Sequence, residues 1–310
     1  MQAFKRITHW LYGSRLLKHY ESIDAFRYIK RLASGKGSDD GKYYSDKDIP
    51  QFDSDAEVLI RFTFRDHPCL MLCRPGSHIE AGLIRHSGHA MRLQHIIADH
   101  LHGGFFVDVG ANVGTFSIPL AKAFPQETVI AFEPNPPAQS RLLRNLELNA
   151  LDNIQVRGEG VGDELGHFTL FAFSGQDMGQ SSFIRPAQHT EAPTEIKVAV
   201  VRLDDALPMT DPRKVDVIKI DVQGKEVAVL KGSQRLIEKH RPIILLEHED
   251  SNFDCKEVAE KTRANLKEFF SSVGYEVFYI TRKDSQLLFP VRWGRSLNGD
   301  LLAIPMTLKQ

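Results

Sequence analysis

The residues best placed to do chemistry are a glycine-bearing turn and the carboxylates that follow it. Residues 107–115 read VDVGANVGT and separate a predicted buried strand from a predicted helix. Glycine permits unusual dihedrals and close backbone approach, asparagine tolerates the left-handed region, and the first N–H groups of a helix lack partners within it. The turn therefore predicts a ligand-binding loop, although a tight strand-to-helix turn also uses glycine for structural reasons alone.

A second acidic position follows the next predicted strand. Glu133 ends the run 128–132 and lies 19 residues after Gly114. Nucleotide-binding α/β folds hold the ribose diol with an acidic residue at this place. A surface carboxylate in the Glu-Pro-Asn-Pro-Pro turn is the alternative. Together, the turn and Glu133 predict a cofactor that contains adenosine.

The choice of cofactor depends on the charges along this edge of the sheet. A dinucleotide fingerprint, G-x-G-x-x-G, would need glycine where Asn112 and Thr115 stand. Asp108 in the first turn and Asp221 after a later strand instead place carboxylates along one edge. That arrangement suits a cation such as S-adenosylmethionine and favours methyl transfer over hydride transfer. A nicotinamide-dependent oxidoreductase is the alternative.

Five motifs in succession resemble those of the FkbM family of S-adenosylmethionine-dependent methyltransferases. They are Asp108-Val-Gly-Ala-Asn-Val-Gly114, Ala131-Phe-Glu-Pro-Asn135, Asn145-Leu-Glu-Leu-Asn149, Val201-Arg-Leu-Asp204 and Ile218-Lys-Ile-Asp-Val-Gln-Gly-Lys-Glu226. The resemblance covers about residues 104–250. It implies a class I methyltransferase (Rossmann-like) fold and O-methylation of a hydroxyl on a sugar, glycolipid or secondary metabolite.

The resemblance also implies roles for individual residues. The methionine portion of the cofactor would lie along Asp108, Gly110, Asn112 and Gly114. Glu133 would hold the ribose, Val161 would lie against the adenine, and Asp221 would face both cofactor and substrate. Two positions depart from the family pattern, which usually has glutamate where Gln223 stands and alanine where Gly160 stands.

Several residues are candidates for activating the acceptor. A hydroxyl is a weak nucleophile until a carboxylate or histidine takes its proton. The candidates are Asp221, Glu226 and the Glu247-His248 pair, and Glu226 could alternatively just begin a helix. Lys219 lies two residues before Asp221 on the same strand face, so it could pair with that carboxylate or stabilise an alkoxide. No metal is expected, because methyl transfer from a sulfonium to oxygen does not require one.

From residue 104 onward, short β-branched or aromatic runs alternate with helical stretches. The predicted strands are 105–109, 128–132, 154–157, 166–173, 196–203, 215–222, 242–247, 275–280, 287–289 and 301–304. The predicted helices are 115–124, 139–149 and 225–239. Alternation of this kind predicts an α/β fold with a mostly parallel sheet, here with an antiparallel C-terminal edge.

Three zones are expected along the chain. Residues 1–41 form a basic helical segment and linker, 42–103 form a cap with a hairpin, and 104–310 form the methyltransferase domain. Residues 1–36 carry a surplus of six positive charges. This segment would either pack on the next zone or touch an anionic membrane or partner, and a non-catalytic binding protein is the corresponding third alternative.

Composition excludes several other classes. Of 310 residues, 39 are Lys or Arg and 40 are Asp or Glu, so a chain-wide basic surface for nucleic acid is absent. Apolar and charged fractions of 42% and 25% exclude wholesale disorder. The apolar runs are too short to cross a bilayer. Three cysteines and no secretion signal predict a reducing, cytoplasmic location. A small-molecule or glycan substrate is what the family resemblance implies.

Overall fold

The computed structural model of the protein describes residues 57–74, 77, 80, 88–185, 192–207, 211–280 and 288–306. The predicted basic segment at 1–41, with its expected membrane or partner contact, lies outside these residues. No helix in the described part of the chain has an apolar stretch long enough to cross a bilayer.

The strands and helices follow one another in a largely alternating order. The strands are β1 Val58–Phe64, β2 His67–Cys73, β3 Phe105–Val109, β4 Thr128–Phe132, β5 Ile154–Arg157, β6 Gly160–Val161, β7 Gly166–Ala172, β8 Thr194–Val201, β9 Val215–Ile220, β10 Ile243–Glu249, β11 Tyr275–Ile280, β12 Leu288–Pro290 and β13 Asn298–Pro305. The α-helices are α1 Gly88–Ala98, α2 Ser117–Ala123, α3 Pro136–Asn149, α4 Leu203–Ala206, α5 Glu226–Lys231, α6 Gln234–His240 and α7 Lys256–Ser272. Short 3-10 helices cover Gly175–Gln180 and Asp250–Asn252.

The main sheet has eight strands in the order β12-β11-β13-β10-β9-β3-β4-β5. Strands β3, β4, β5, β9 and β10 are parallel, and β13 and β11 add antiparallel pairs at the C-terminal side. This confirms the expected class I methyltransferase, Rossmann-like architecture with its antiparallel edge. Strand order reverses between β3 and β9, and ligands of open α/β sheets bind outside the carboxyl ends at such a point.

Both faces of the sheet are covered, which explains why its strands are nearly continuous apolar runs. Every residue of β3 is buried. Phe106 packs into one hydrophobic cluster, and its neighbours Phe105 and Val107 pack into another. The alternation follows from the two-residue side-chain period of a strand. The packed sheet therefore determines which strand tips lie side by side.

Two corrections concern the helices. The single helix predicted over 225–239 is wrong, because α5 and α6 are separated at Gly232, where a Cβ would lie 1.9 Å from the Gly162 carbonyl oxygen. The Asp204 carboxylate accepts the Leu236 N–H at 2.8 Å and so begins α6 afresh. Helix α7 was not predicted, although it buries an apolar stripe against the sheet.

The expected hairpin is β1–β2, and it docks on α3 through side-chain amides. Asn149 accepts the Leu70 N–H at 2.9 Å and donates to the Leu70 carbonyl at 2.6 Å. Asn145, one turn earlier, accepts the Leu72 N–H at 2.7 Å. These two amides take the place of a neighbouring strand at the free edge of β2. This role explains the two asparagines of the motif Asn145-Leu-Glu-Leu-Asn149.

Candidate functional site

An open cleft lies at the carboxyl ends of β3, β4 and β9, where the strand order reverses. The empty space within it is about 590 Å³, which includes open solvent at its mouth. Residues 178–183 and strand β6 form the rest of its wall. The polar side chains on this wall are Asn112, Glu133, Glu159, Ser181, Asp221 and Gln223.

The turn after β3 has the conformation that the sequence predicts. Gly110 has a φ of +82°, and a Cβ there would lie 1.9 Å from the Asp221 carbonyl oxygen, so only glycine lets the tips of β3 and β9 meet. Asn112 adopts the left-handed region at φ +51°. Its buried Oδ1 has no hydrogen-bond partner among the described residues. An acceptor left unpaired at the cleft is available to a ligand.

Glu133 joins the tips of β3 and β4. Its Oε2 accepts the Asn112 N–H at 2.7 Å, and its Oε1 accepts the Asn135 N–H at 2.9 Å. Burial raises the pKa of Glu133 to about 7, although the two N–H groups oppose this shift. Both oxygens are thus fixed in place and keep further lone pairs for a ligand.

Asp108, Lys219 and Asp221 form a charge cluster beneath the cleft. The Lys219 Nζ lies 3.2 Å from Asp108 Oδ1 and 3.6 Å from Asp221 Oδ2, and it donates to the Gly110 carbonyl at 3.0 Å. Burial lowers the pKa of Lys219, but the two carboxylates outweigh it and hold that pKa above its ordinary value. Lys219 is therefore a cation that fixes Asp221 at the cleft wall.

Two of the predicted cofactor residues lie behind the cleft rather than on its wall. Asp108 is fully buried and accepts the Ser117 hydroxyl at 2.6 Å. Gly114 has a φ of +91°, and a Cβ there would lie 2.5 Å from Leu142. Both residues shape the turn from below, whereas Gly110, Asn112, Glu133, Val161 and Asp221 line the cleft.

Glu226 and His248 lie together, but away from the cleft wall. Both side chains are buried, and His248 Nδ1 lies 3.6 Å from Glu226 Oε2. Glu226 Oε1 also accepts the Gly224 N–H at 2.6 Å at the start of α5, and His248 Nε2 lies 3.2 Å from Asp250 Oδ1. These contacts tie the loop after β9 to the end of β10.

The wall beside Val161 contains residues that the sequence motifs did not identify. Glu159 lines the cleft and pairs with Arg157 at 2.7 Å. A Cβ on Gly160 would lie 2.6 Å from the ring of Phe183. The absence of a side chain at Gly160 therefore makes room for this ring. Only the folded chain brings Phe183 to Gly160, so local sequence carries no signal for the contact.

Hydrogen bonds link residues 173–182 to two of the turns beside the cleft. The Asn135 side-chain amide donates to the Phe173 carbonyl and to the Ser181 hydroxyl, each at 2.9 Å. The Ser182 hydroxyl donates to the Gln223 carbonyl at 2.8 Å. This segment is thereby attached to the turns after both β4 and β9.

Comparison with known proteins identifies relatives of the part of the chain that forms this cleft. A family profile described as "Methyltransferase FkbM domain" matches residues 108–277, more than half of the chain. Methyltransferase 1 of Beauveria bassiana is 32% identical over 144 residues, which cover 41% of this chain and 57% of that protein.

Two further relatives carry more specific names. The 2-O-methyltransferase NoeI of Sinorhizobium fredii is 27% identical over 155 residues, covering 46% of this chain and 63% of that protein. The hexuronic acid methyltransferase AglP of Haloferax volcanii is 29% identical over 156 residues, covering 49% and 59%. The chain thus spans less than two thirds of the length of each of these relatives.

Proposed function

Because the chain belongs to the FkbM methyltransferase family, we propose that it transfers a methyl group from S-adenosylmethionine to a hydroxyl of a sugar, glycolipid or secondary metabolite. When bound, this cofactor supplies a methyl carbon on a positively charged sulfur. The observation that carries the proposal is the charge of the cleft. Glu133, Glu159 and Asp221 line it, and none of the described lining residues is Lys, Arg or His.

The same charge distribution argues against a dinucleotide. A pyrophosphate brings two negative charges and is normally received by unpaired N–H groups at a helix start. Here the carboxyl groups of Glu133, Glu159 and Asp221 line the space, and no Lys, Arg or His among the described residues lines it to receive a pyrophosphate. Asn112 and Thr115 also occupy the positions where the dinucleotide fingerprint needs glycine. The nicotinamide alternative therefore keeps the acidic strand tip at Glu133, which either cofactor's ribose could use, but lacks a site suited to its pyrophosphate.

Individual residues suit the parts of the proposed cofactor. The fixed oxygens of Glu133 retain lone pairs that can accept the two ribose hydroxyls. The unpartnered Oδ1 of Asn112 can accept a donor from the amino-acid portion. Buried Val161 offers an apolar surface to the adenine. Each of these groups is held by the strand tips, so little ordering would be needed on binding.

The acceptor is proposed from chemistry and from the names of relatives. One relative is named a 2-O-methyltransferase and another a hexuronic acid methyltransferase, which supports a sugar hydroxyl here. Asp221 at the wall can accept a hydrogen bond from such a hydroxyl and orient it, with Lys219 holding the carboxylate. Positioning the oxygen in line with the methyl carbon can supply much of the acceleration.

The test is transfer of labelled methyl from S-adenosylmethionine to a panel of oligosaccharides, glycolipids and hydroxylated metabolites. We expect a labelled methyl ether that survives mild alkali. Glu133→Ala should abolish transfer, whereas Glu147→Ala on the exposed face of α3 should not. Label recovered as an alkali-labile ester or on nitrogen, or equal transfer by the Glu133→Ala variant, would contradict the proposal.

A further inference from the structure

A chain of buried charged side chains runs from α7 to the loop after β9, and none of them lines the cleft. Glu226 and His248 are almost fully buried, and His248 Nδ1 lies 3.6 Å from Glu226 Oε2. On the other side of the ring, Nε2 lies 3.2 Å from Asp250 Oδ1. Arg263 of α7 pairs with the second oxygen of Asp250. His248 therefore stands between two carboxyl groups, one on α5 and one anchored to α7.

The imidazole of His248 satisfies the second oxygen of Glu226. Neither Glu226 Oε2 nor His248 Nδ1 has a hydrogen-bond partner elsewhere among the described residues. A buried carboxylate oxygen without a donor is costly. The Asp250 end of the chain is fixed, because its Oδ2 also accepts the Ser296 hydroxyl at 2.7 Å and the Leu297 N–H at 3.2 Å. The ring thus connects Glu226 to a carboxylate that further donors hold in place.

Glu226 also holds a turn whose backbone conformation needs support. Gln223 has a φ of +53° and Gly224 a φ of +102°. A residue other than glycine keeps a positive φ only where its surroundings hold it. The Gly224 N–H donates to Glu226 Oε1 at 2.6 Å, and the Ser182 hydroxyl donates to the Gln223 carbonyl at 2.8 Å. The two oxygens of Glu226 therefore link this turn to His248.

The turn in its own right positions Asp221 at the cleft. The Gln223 side-chain amide donates to Asp221 Oδ1 at 2.9 Å, and both residues line the cleft. Lys219 Nζ lies 3.6 Å from the other oxygen of Asp221 and 3.2 Å from buried Asp108, beneath the cleft. Without the Gln223 donor, the attraction to Lys219 would draw the carboxylate away from the wall. The direction of the Asp221 carboxylate thus depends on the turn.

We propose that His248 is a positioning residue for the carboxylate of Asp221. By linking Glu226 to Asp250 it holds the turn after β9, and that turn directs Asp221 into the cleft. This inference rests on the proposed function, in which Asp221 lies in the wall that receives the positively charged sulfur. The alternative, in which Glu226 only begins α5, gives His248 no effect on the cleft.

The experiment measures the preference of the cleft for a positive charge at sulfur. S-adenosylmethionine and S-adenosylhomocysteine are titrated separately into the full chain by calorimetry, at low ionic strength so that charges are little screened. The two ligands differ by the methyl group and the charge at sulfur, so the ratio of their affinities reports the carboxylates around that charge. Asp221→Asn sets the scale and should lower the ratio of affinities by about fivefold or more.

Two variants remove the ring nitrogens while filling the space of the ring. His248→Phe keeps an aromatic ring beside Phe253, and His248→Leu replaces the ring with an aliphatic group. Both should lower the ratio nearly as far as Asp221→Asn. The affinity for S-adenosylhomocysteine should stay within about twofold, because Glu133 and its neighbours are distant and unaltered. His167→Leu, an exposed site on β7, is the matched control and should behave like the wild type.

A third variant and a double variant separate positioning from packing. His248→Asn leaves a smaller side chain but keeps an amide donor toward Glu226, so its ratio should stay above that of His248→Leu even where its Tm is lower. In an Asp221→Asn background, His248→Phe should not lower the ratio further, because its effect passes through Asp221. A residue that only packs the core would give neither result.

The outcomes separate this inference from the proposed function. An unchanged ratio in His248→Phe and His248→Leu would overturn the inference, as would a parallel loss of affinity for both ligands. A ratio in His248→Asn no higher than in His248→Leu, or an unchanged ratio in Asp221→Asn, would also overturn it. Where one of the first two variants does not fold, the other carries the test.

Each of these results requires that the wild-type chain bind both ligands, so each leaves the proposed function standing. Absence of binding of either ligand by the wild-type chain would instead contradict the proposed function itself.

Discussion

Gln223 donates a hydrogen bond from its side-chain amide to Asp221 Oδ1 at 2.9 Å, and both residues line the cleft. The residue has a φ of +53°, which points its carbonyl to the Ser182 hydroxyl and its amide to Asp221. A glutamate, the usual residue of the family here, could not donate this hydrogen bond. Gln223 therefore supplies a neutral donor where a glutamate would add a fourth carboxylate to the cleft wall.

Gln223→Glu should increase the preference for a cationic ligand. The variant adds a negative charge to the cleft wall, so the ratio of affinities for S-adenosylmethionine over S-adenosylhomocysteine should rise by about fivefold or more at moderate ionic strength. Competition calorimetry measures this ratio. Gln155→Glu, an exposed site on β5, is the matched control and should leave the ratio unchanged. An unaltered ratio in Gln223→Glu would show that this position does not face the charged sulfur.

Glu133 should make ligand binding depend on pH. Its ionised form accepts both backbone N–H groups and keeps lone pairs for the ribose, and its pKa is about 7. Affinity for S-adenosylhomocysteine should therefore weaken as pH falls below about 7, approaching tenfold per pH unit. Glu133→Gln should bind more weakly and lose this dependence. Calorimetry between about pH 5.5 and 8 provides the measurement, and a parallel slope in both proteins would contradict the assignment.

The Glu133 carboxyl should also make the stability of the ligand-free protein depend on pH, and this stability should fall as the pH rises. Its folded pKa of about 7 lies above the ordinary value of 4.5, so the folded state binds the proton more tightly than the unfolded state. Its stabilising contribution to the free energy of unfolding is fully present below about pH 4.5 and is lost as the pH rises through 7. The difference between these two limits is up to about 3 kcal/mol. The Tm of the ligand-free protein, measured against Glu133→Gln, should show this gain at low pH. A gain at high pH would refute it.

The effects of substitutions at Gly160 and Phe183 on ligand binding should depend on each other. A methyl group at Gly160 would lie 2.6 Å from the Phe183 ring and would displace it from the cleft wall. Gly160→Ala should weaken S-adenosylhomocysteine binding by about 1 kcal/mol, the scale of one aromatic contact. In a Phe183→Leu background the same substitution should have little effect, which a double-mutant cycle detects. Equal losses in both backgrounds would exclude the coupling.

Asn145 and Asn149 should differ in their effect on binding. Both satisfy the edge of β2, so replacing either by alanine should lower the free energy of unfolding by about 1–3 kcal/mol. Asn145 also donates to the Val113 carbonyl in the turn after β3 at 3.0 Å. Only Asn145→Ala should therefore weaken S-adenosylhomocysteine binding. Denaturant melts and calorimetry on the two variants check this, and equal loss of binding in both would contradict it.

Local pattern predicted the parts of the fold whose signals are local. The strands at 105–109, 128–132, 154–157 and 275–280 are confirmed to the residue, because each is a short run that contains β-branched or aromatic residues. The helix over 225–239 was wrong, because the break at Gly232 comes from a crossing with Gly162 far away in sequence. The apolar spacing of Ala259, Leu266 and Phe270 is the local helical signal of α7.

The site was predictable where strand geometry decides it. Parallel strand tips bring Gly110, Glu133 and Asp221 to one edge, and their positions in the sequence sufficed to locate the cleft. Adjacent strand residues point to opposite faces, so Glu247 and His248 could not both face the same side of β10. That Phe183 meets Gly160 depends on packing between distant segments.

The most direct test of the account is a comparison of two ligands on the unmodified chain. Calorimetric titration with S-adenosylmethionine should show one site per chain, with binding lost in Glu133→Ala and kept in Glu147→Ala. NADH, which brings a pyrophosphate to a cleft lined by three carboxylates, should not bind. Binding of NADH with no binding of S-adenosylmethionine would contradict the assignment of this cleft to a positively charged methyl donor.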